Sequence, residues 1–283
     1  GVSSIAHIDS SLYIILNSDE GISFITVCSE ESGASSVGNL FQADLGDGLY
    51  WLDRPNIRAT CDAAHYRGAD FQQIYSMAGT YFSNGYASVA FNDTDNIENY
   101  IESAVSFNKG GTWALLAPPQ GSECAETPNC YLHLFSEADT HVQPIYTNPN
   151  SVGLVIATGN EGEYRGALED SNTYISRSGG FLWELLREGR YTSALLQQGS
   201  LLVMVPMGDN TQELLYSWDQ GVSFESCLFD TPFEVEVILD VSVDDSVDIL
   251  VIGKTSAGGI IYSVSFTDSA PAECSLNIHD CNL

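Results

Sequence analysis

An octapeptide recurs along this chain, and its repetition narrows the fold more than any other feature of the sequence. Ser217 to Phe224 reads S-x-D-x-G-x-S-aromatic, with Ser217, Asp219, Gly221 and Phe224 at the defining positions. In such a turn the carboxylate can accept hydrogen bonds from turn amides and the glycine can take positive φ. The hydroxyl at the seventh position can close the turn, and the aromatic that follows starts the next strand and packs inward. Ser106 to Trp113 repeats the pattern with Asn108 for the acid, Gly110 for the glycine and Trp113 for the aromatic. Asn17 to Phe24 repeats it with Asp19 and Gly21. Ser176 to Trp183 keeps Ser176, Gly180 and Trp183 but carries Ser178 in the acid's place and Leu182 where a hydroxyl belongs, half a match. The third positions stand at 19, 108, 178 and 219, intervals of 89, 70 and 41 residues. A four-stranded propeller blade occupies roughly 40 to 50 residues. The intervals therefore read as two blades, one blade with an insertion, and one blade. That is a repeat architecture.

The charge excludes some partners. Nine basic residues against 38 acidic give a net charge of −29. Only Lys109 and Lys254 supply lysine, so the clustered cations that phosphate contacts need are missing, and nucleic acid is not expected as a partner. Anionic membrane surfaces are disfavoured on the same ground. The plain reading of the acid is a solvated surface. The sharper one is attraction of cationic ligands, or of calcium at Asp244-Asp245 and Glu30-Glu31, although neither cluster has a calcium-loop spacing. With 44% hydrophobic residues the chain can bury a sizeable core. It has no apolar run of about 18 residues, so no membrane-inserting segment is expected within it. It opens at Gly1 without an initiator Met or signal peptide, as a mature, cleaved or partial product would.

Seven cysteines without zinc-ribbon spacing favour an oxidising compartment. Cys124 and Cys130 flank a polar loop and form the clearest disulfide pair; Cys28 with Cys61 and Cys274 with Cys281 are further options, and Cys227 reads as a buried free thiol. Cys274, His279 and Cys281 match no common metal site, so no metal and no cofactor is expected. Asn92 opens the one glycosylation sequon.

Short apolar runs between polar turns make the chain all-β. Strands are expected at 11–16, 22–27, 49–52, 71–74, 100–107, 113–117, 131–135, 152–158, 174–175, 181–186, 200–206, 213–217, 223–229, 233–243, 249–254 and 259–266. The nearly continuous apolar run 152–158 suggests an inner strand. A hairpin is expected from 79–82 and 86–91, and loops over 29–48 and 159–171.

Between Phe107 and Gly162 the residues resemble a known family. Phe107-Asn108-Lys109-Gly110-Gly111-Thr112-Trp113 is similar to the F-D-x-G-G-x-W turn of the sortilin-type sorting receptors, whose luminal domain is a ten-bladed propeller. Ser122-Glu123-Cys124 with Cys130-Tyr131-Leu132-His133-Leu134 resembles the family's small disulfide loop and L-H strand. Asn150 to Gly159 resembles its N-x-V-G-[IL]-[VI]-[IM]-x-x-G segment, and Tyr262 to Phe266 followed by Cys274 resembles the end of its last blade.

The resemblance implies β-propeller blades of four antiparallel strands with Asp-box turns, about five blades of a ten-bladed ring. Residues 1–272 would form the C-terminal half of the propeller, and 273–283 would begin a cysteine-containing segment. The companion N-terminal half would lie on the same protein or another chain, and Cys274 would pair with a cysteine there. The family binds peptides and proteins inside the tunnel and sorts them between Golgi, endosome and surface. Its ligand strand corresponds to Val2, Ser3 and Ile5, with Val2 and Ser3 standing where aromatic residues are expected. That strand could add a peptide by edge pairing, or serve only as an inner blade strand.

The expected function is therefore a ligand-binding, non-enzymatic ectodomain in the secretory lumen or outside the cell. The alternative is a structural or adhesive propeller module of a surface assembly. A sialidase-like glycosidase ranks third: Arg54, Arg58, Arg67, Arg165, Arg177, Arg187 and Arg190 stand in no motif that gathers them, and His7, His65, His133, His141 and His279 are scattered.

Overall fold

The computed structural model describes residues 2–8, 11–17, 22–29, 36–44, 48–51, 57–60, 68–92, 94–136, 145–208, 210–242 and 246–267, with those up to 51 and residues 59–60, 68–69, 91 and 94–95 described by their backbone alone. No α-helix occurs among them, only short 3-10 turns. The first sheet contains Val2–Ile8 (β1), Ser11–Asn17 (β2), Ile22–Ser29 (β3), Ser36–Asp44 (β4), Gly48–Trp51 (β5), Ile57–Thr60 (β6), Gly68–Ala69 (β7), Phe71–Gln73 (β8), Tyr81–Tyr86 (β9), Ile101–Ser106 (β10) and Ala114–Leu115 (β11). The second contains Tyr131–Leu134 (β12), Ile145–Thr147 (β13), Val155–Gly162 (β14), Asn172–Ser176 (β15) and Glu184–Arg187 (β16). The third contains Tyr191–Leu196 (β17), Leu201–Pro206 (β18), Thr211–Ser217 (β19), Glu225–Asp240 (β20), Asp248–Thr255 (β21) and Gly258–Ser265 (β22).

Every pairing is antiparallel and mostly between sequence neighbours, so the chain reads as successive meanders: β1 to β4, β8 to β11, β12 to β16, β17 to the start of β20, and the rest of β20 to β22. These are the blade units. In the third, β12 and β13 both pair with β14, opposite Gly159 to Gly162 and Val155 to Ala157 respectively. They are two pieces of one first strand, parted by the insertion that the 70-residue interval implied.

The units stack face to face, and the alternation of the strands shows how. Along β14, Val155 and Ala157 pack with Phe82, Val105 and Leu116 of the preceding unit. Leu154 and Ile156 face the other way, onto Leu202, Met204 and Leu215 of the following one. A strand with both faces covered carries apolar residues at consecutive positions, which is why 152–158 lacks polar alternation. Along β18 the pattern repeats: Leu202 and Met204 look back, while Val203 and Val205 look forward to Ile249 and Val251. Each such fully buried aliphatic side chain contributes roughly 1.5 to 3 kcal/mol.

The forward contact identifies β20 as a hinge between units. In a flat sheet β18 and β21 would stand three strands apart, about 14 Å, out of side-chain reach. Their shared core requires the sheet to fold over at β20. The pairing of β19 with β20 jumps there from Glu213↔Leu228 to Thr211↔Phe233, leaving a bulge that holds Pro232. One continuous strand thus serves as the last strand of one unit and the first of the next, where the sequence suggested two strands.

Several local expectations give way to pairing partners. Residues 36–44, expected as loop, form β4 with a seven-residue register against β3. The hairpin expected over 79–91 is one strand followed by a 3-10 turn at Ser88–Asn92. Strand β14 runs on to Gly162, into the stretch expected as loop, because Tyr131 to Leu134 pair with it. Strand β17 was not foreseen: its small and hydroxyl side chains carry a weak apolar signal, yet it pairs with β18 over six residues. Cys227, expected to be buried, is exposed.

Candidate functional site

The three described box turns occupy one structural position, the link between the third and fourth strands of a unit. Ser106, Ser176 and Ser217 each end the third strand and are buried. In each turn the serine Oγ accepts from the backbone N–H of the box glycine: Gly110 at 2.8 Å, Gly180 at 2.9 Å and Gly221 at 2.7 Å. The third position accepts from the backbone N–H of the seventh: Thr112 to Asn108 at 2.9 Å, Leu182 to Ser178 at 2.8 Å, Ser223 to Asp219 at 2.8 Å. Two consecutive residues take positive φ to make this geometry, Lys109 and Gly110 (60° and 85°), Gly179 and Gly180 (68° and 97°), Gln220 and Gly221 (59° and 87°).

The turns differ in their last positions. Trp113 and Trp183 donate their indole N–H to the carbonyls of Gly110 and Gly180, at 3.0 and 2.9 Å. Phe224 has no such donor, and its turn relies on Asp219, which also accepts from the Ser223 and Ser217 hydroxyls. The Ser223 hydroxyl and amide hold the Asp219 carboxyl at a pKa of about 2, below the usual carboxylate range. Trp183 is core, whereas Trp113 and Phe224 are half-buried rather than fully in the core. The turn Asn17 to Phe24 joins β2 to β3 with Asn17 opposite Ser23; its Asp19 and Gly21 lie outside the described residues.

A buried polar seam joins the second and third units. Asp70, Asn84, Ser103 and His133 are each at most 1% exposed. Asn84 Nδ2 donates to Asp70 and to the Leu134 carbonyl, the Ser103 hydroxyl donates to Asn84, and Leu134 N–H donates back to Ser103. The Ser103 amide donates to His133 Nδ1 at 3.3 Å, and His133 Nε2 lies 3.1 Å from the Gly162 carbonyl. The ring is therefore neutral with its proton on Nε2; burial lowers its pKa to about 4. At the rim Arg58 bonds Asp70 and Glu98, and Tyr86 donates to Glu98. Sequence reading missed this seam, since its members are far apart in the chain. The one available signal was a histidine between leucines in a strand.

The arginines that a sialidase reading would gather are spread among separate tasks. Arg58 belongs to the seam, Arg165 lies over the Phe135 ring at 4.7 Å, and Arg187 over Phe224 at 4.4 Å. Arg177 bonds Glu184 and the Gln220 carbonyl. Arg54 and Arg67 lie outside the described residues. No group of three His, Cys, Asp or Glu suited to a metal occurs among the described residues.

Val2, Ser3 and Ile5 lie on β1, the outermost strand of its sheet; β1 pairs with β2 on one side, with a register shift between Val2 and Ser4. Its other edge has no partner among the described residues. Asn92 is exposed at the end of its 3-10 turn. Cys124 and Cys130 are joined as a disulfide with Cα atoms 5.2 Å apart. Cys61, Cys274, His279 and Cys281 lie outside the described residues, as do Glu30-Glu31 and Asp244-Asp245; Cys28 is described by its backbone alone.

A family model described as "Sortilin, neurotensin receptor 3" (Sortilin-Vps10) matches residues 4–238. Vacuolar protein sorting/targeting protein 10 of Debaryomyces hansenii is 25% identical over 288 residues, covering 98% of this chain and 18% of that protein. Proteins of the same name from Paracoccidioides brasiliensis and Blastomyces gilchristii are 29% and 30% identical, each covering 87% of this chain and 17% of its own length. The chain thus spans less than a fifth of these relatives. A chain from a crystal structure of a nidogen–laminin complex aligns at 14% identity and a TM-score of 0.37, covering 89% of this chain and 79% of that one, a likeness too distant to bear on function.

Proposed function

The chain belongs to the sortilin–Vps10 family, and from that premise we propose that it is part of the luminal, ligand-binding propeller of a sorting receptor. Residues 1–272 form its C-terminal half, and 273–283 open the cysteine-containing segment that follows. The N-terminal half completes the ring, with Cys274 bonded to it. The receptor works in the lumen of the secretory pathway, captures peptide or protein cargo, and routes it between Golgi and endosome without catalysing a reaction. The observation that carries this reading is the family match over 4–238, which runs through four of the five units.

The stacked units supply the physical means. Faces covered on both sides make a rigid frame, and the edge of β1 at Val2, Ser3 and Ile5, which has no strand partner among the described residues, offers backbone donors and acceptors to an extended ligand. Asn92 sits where a glycan would be solvated.

Disrupting the gene tests the reading. Soluble hydrolases normally retained in the vacuole or lysosome should appear in the medium, and the intact gene should restore retention. Unchanged retention, with the protein found instead as a component of a surface assembly, would overturn the receptor reading in favour of an adhesive one.

A further inference from the structure

One cleft among the described residues belongs neither to β1 nor to the polar seam. It holds about 470 Å³ between Pro118 to Ser122, which lead into the disulfide loop, and Leu182 to Leu185, which leave the second described box turn. One wall is stiff: two prolines have fixed φ, Ser122 N–H bonds the Pro119 carbonyl at 3.2 Å, and the Cys124–Cys130 bridge follows at once. The Trp183 indole N–H is already spent on Gly180, so the ring offers the cleft only apolar surface. Leu182 and Leu185 are 49% and 48% exposed at its mouth, and the neighbouring Phe181, 64% exposed, meets Phe107 of the preceding box edge to face at 5.9 Å. These uncovered apolar side chains at the mouth of a stiff-walled cleft leave apolar surface that an entering side chain could bury.

The charges say what kind of partner. The charged lining residues are Glu161 and Glu184, and Glu123 is exposed beside Ser122. Three arginines are engaged elsewhere: Arg177 holds Glu184 and the Gln220 carbonyl, Arg187 stacks on Phe224, and Arg165 stacks on Phe135. Among the described residues, Glu161 accepts the Tyr174 hydroxyl, at 3.1 Å, and pairs with no cation. We propose that this cleft is a second docking site, one that takes an extended segment of a partner protein presenting an aliphatic or aromatic side chain flanked by lysine or arginine. The apolar anchor enters between Pro119 and Leu185, and the basic flank faces Glu161.

The test is fluorescence anisotropy on the full chain with a labelled peptide alternating lysine and leucine, at near-physiological salt. Leu182→Ser and Leu185→Ser change exposed positions and leave the net charge unchanged; each should weaken binding about tenfold, as loss of an anchoring contact does. Glu161→Gln should weaken it several-fold more than Asp230→Asn, which removes the same charge from an exposed position on β20. Gln120→Glu should tighten binding and Gln120→Lys loosen it; Gln120 is exposed, so both variants should fold. Equal affinities for the leucine variants and the parent would overturn the proposal. So would equal losses from Glu161→Gln and Asp230→Asn, which would show only the general attraction of an acidic chain for a cation.

Discussion

Ser176 to Trp183 and Ser217 to Phe224 build the same turn by different means. The first has no acid: Ser178 fills that position, and closure comes from a buried tryptophan whose N–H caps the Gly180 carbonyl. The second has no tryptophan: Phe224 is half-buried, and the carboxylate of an exposed Asp219 holds the turn by accepting three hydrogen bonds, from the Ser217 hydroxyl and from the Ser223 hydroxyl and amide. Between them, Ser106 to Trp113 uses a neutral Asn108 together with the tryptophan bond. Common to all three are the serine that accepts from the glycine amide, the third-position oxygen that accepts from the seventh amide, and the two left-handed residues. The lesson is that backbone geometry defines this turn and side chains are interchangeable means of closing it, one through the core and one through electrostatics.

That contrast can be broken most forcefully at Trp183. Trp183→Ala should cost about 3 to 5 kcal/mol in denaturant unfolding, since it empties a buried site and orphans a carbonyl. The equivalent Phe224→Ala should cost less, because that ring is only half-buried; an equal loss would erase the distinction. Next comes the shared serine. Ser176→Ala and Ser217→Ala should each cost about 1 to 3 kcal/mol by leaving the glycine amide without its acceptor, and similar losses at both would confirm the common frame.

Acid should separate the two turns. The Asp219 carboxyl titrates at about 2 in the folded chain against an ordinary 3.8, so its contribution is complete above pH 3.8 and is lost as pH falls towards 2. The gap in thermal midpoint between the parent and Asp219→Asn should close over that window, while Ser178→Ala shows no such closure. His133 acts at higher pH and does not interfere. Its folded value of about 4 lies below the ordinary 6.5, so its stability is lost as pH falls from 6.5 to 4, before Asp219 titrates. The smallest effect concerns φ. Lys109→Gly and Gln220→Gly relieve a side chain at positive φ where Gly179 already serves, and each should gain up to about 1 kcal/mol in unfolding free energy. A loss at both would show that their side chains hold the turn.

Much of the fold was readable in advance because the turn chemistry is local. A serine, an acid and a glycine within five residues specify their own hydrogen bonds wherever they stand, and the 70- and 41-residue spacings separate successive units. The 89-residue interval, read as two blades, separates two successive meanders among the described residues, and its first turn joins second and third strands rather than third and fourth. The disulfide between Cys124 and Cys130 is local in the same way. The unread elements are those defined by partners. Residues 36–44 look like loop until β3 pairs with them, and 145–147 is too short to register until β14 lies beside it. Cys227 looks buried until the outer position of β20 is known.

The sequence by itself determined the class, the repeat, the turns and the family, since each depends on residues a few positions apart. Tertiary structure alone decided the rest. It chose which face of β14 and β18 looks back and which forward, folded the sheet over at Pro232, and brought Asp70, Asn84, Ser103 and His133 into one seam. It also left Leu182 and Leu185 uncovered beside Pro119. These arrangements arise because a two-faced strand must bury both sides and a buried polar group must find a partner, and the neighbours that meet those demands lie tens of residues away.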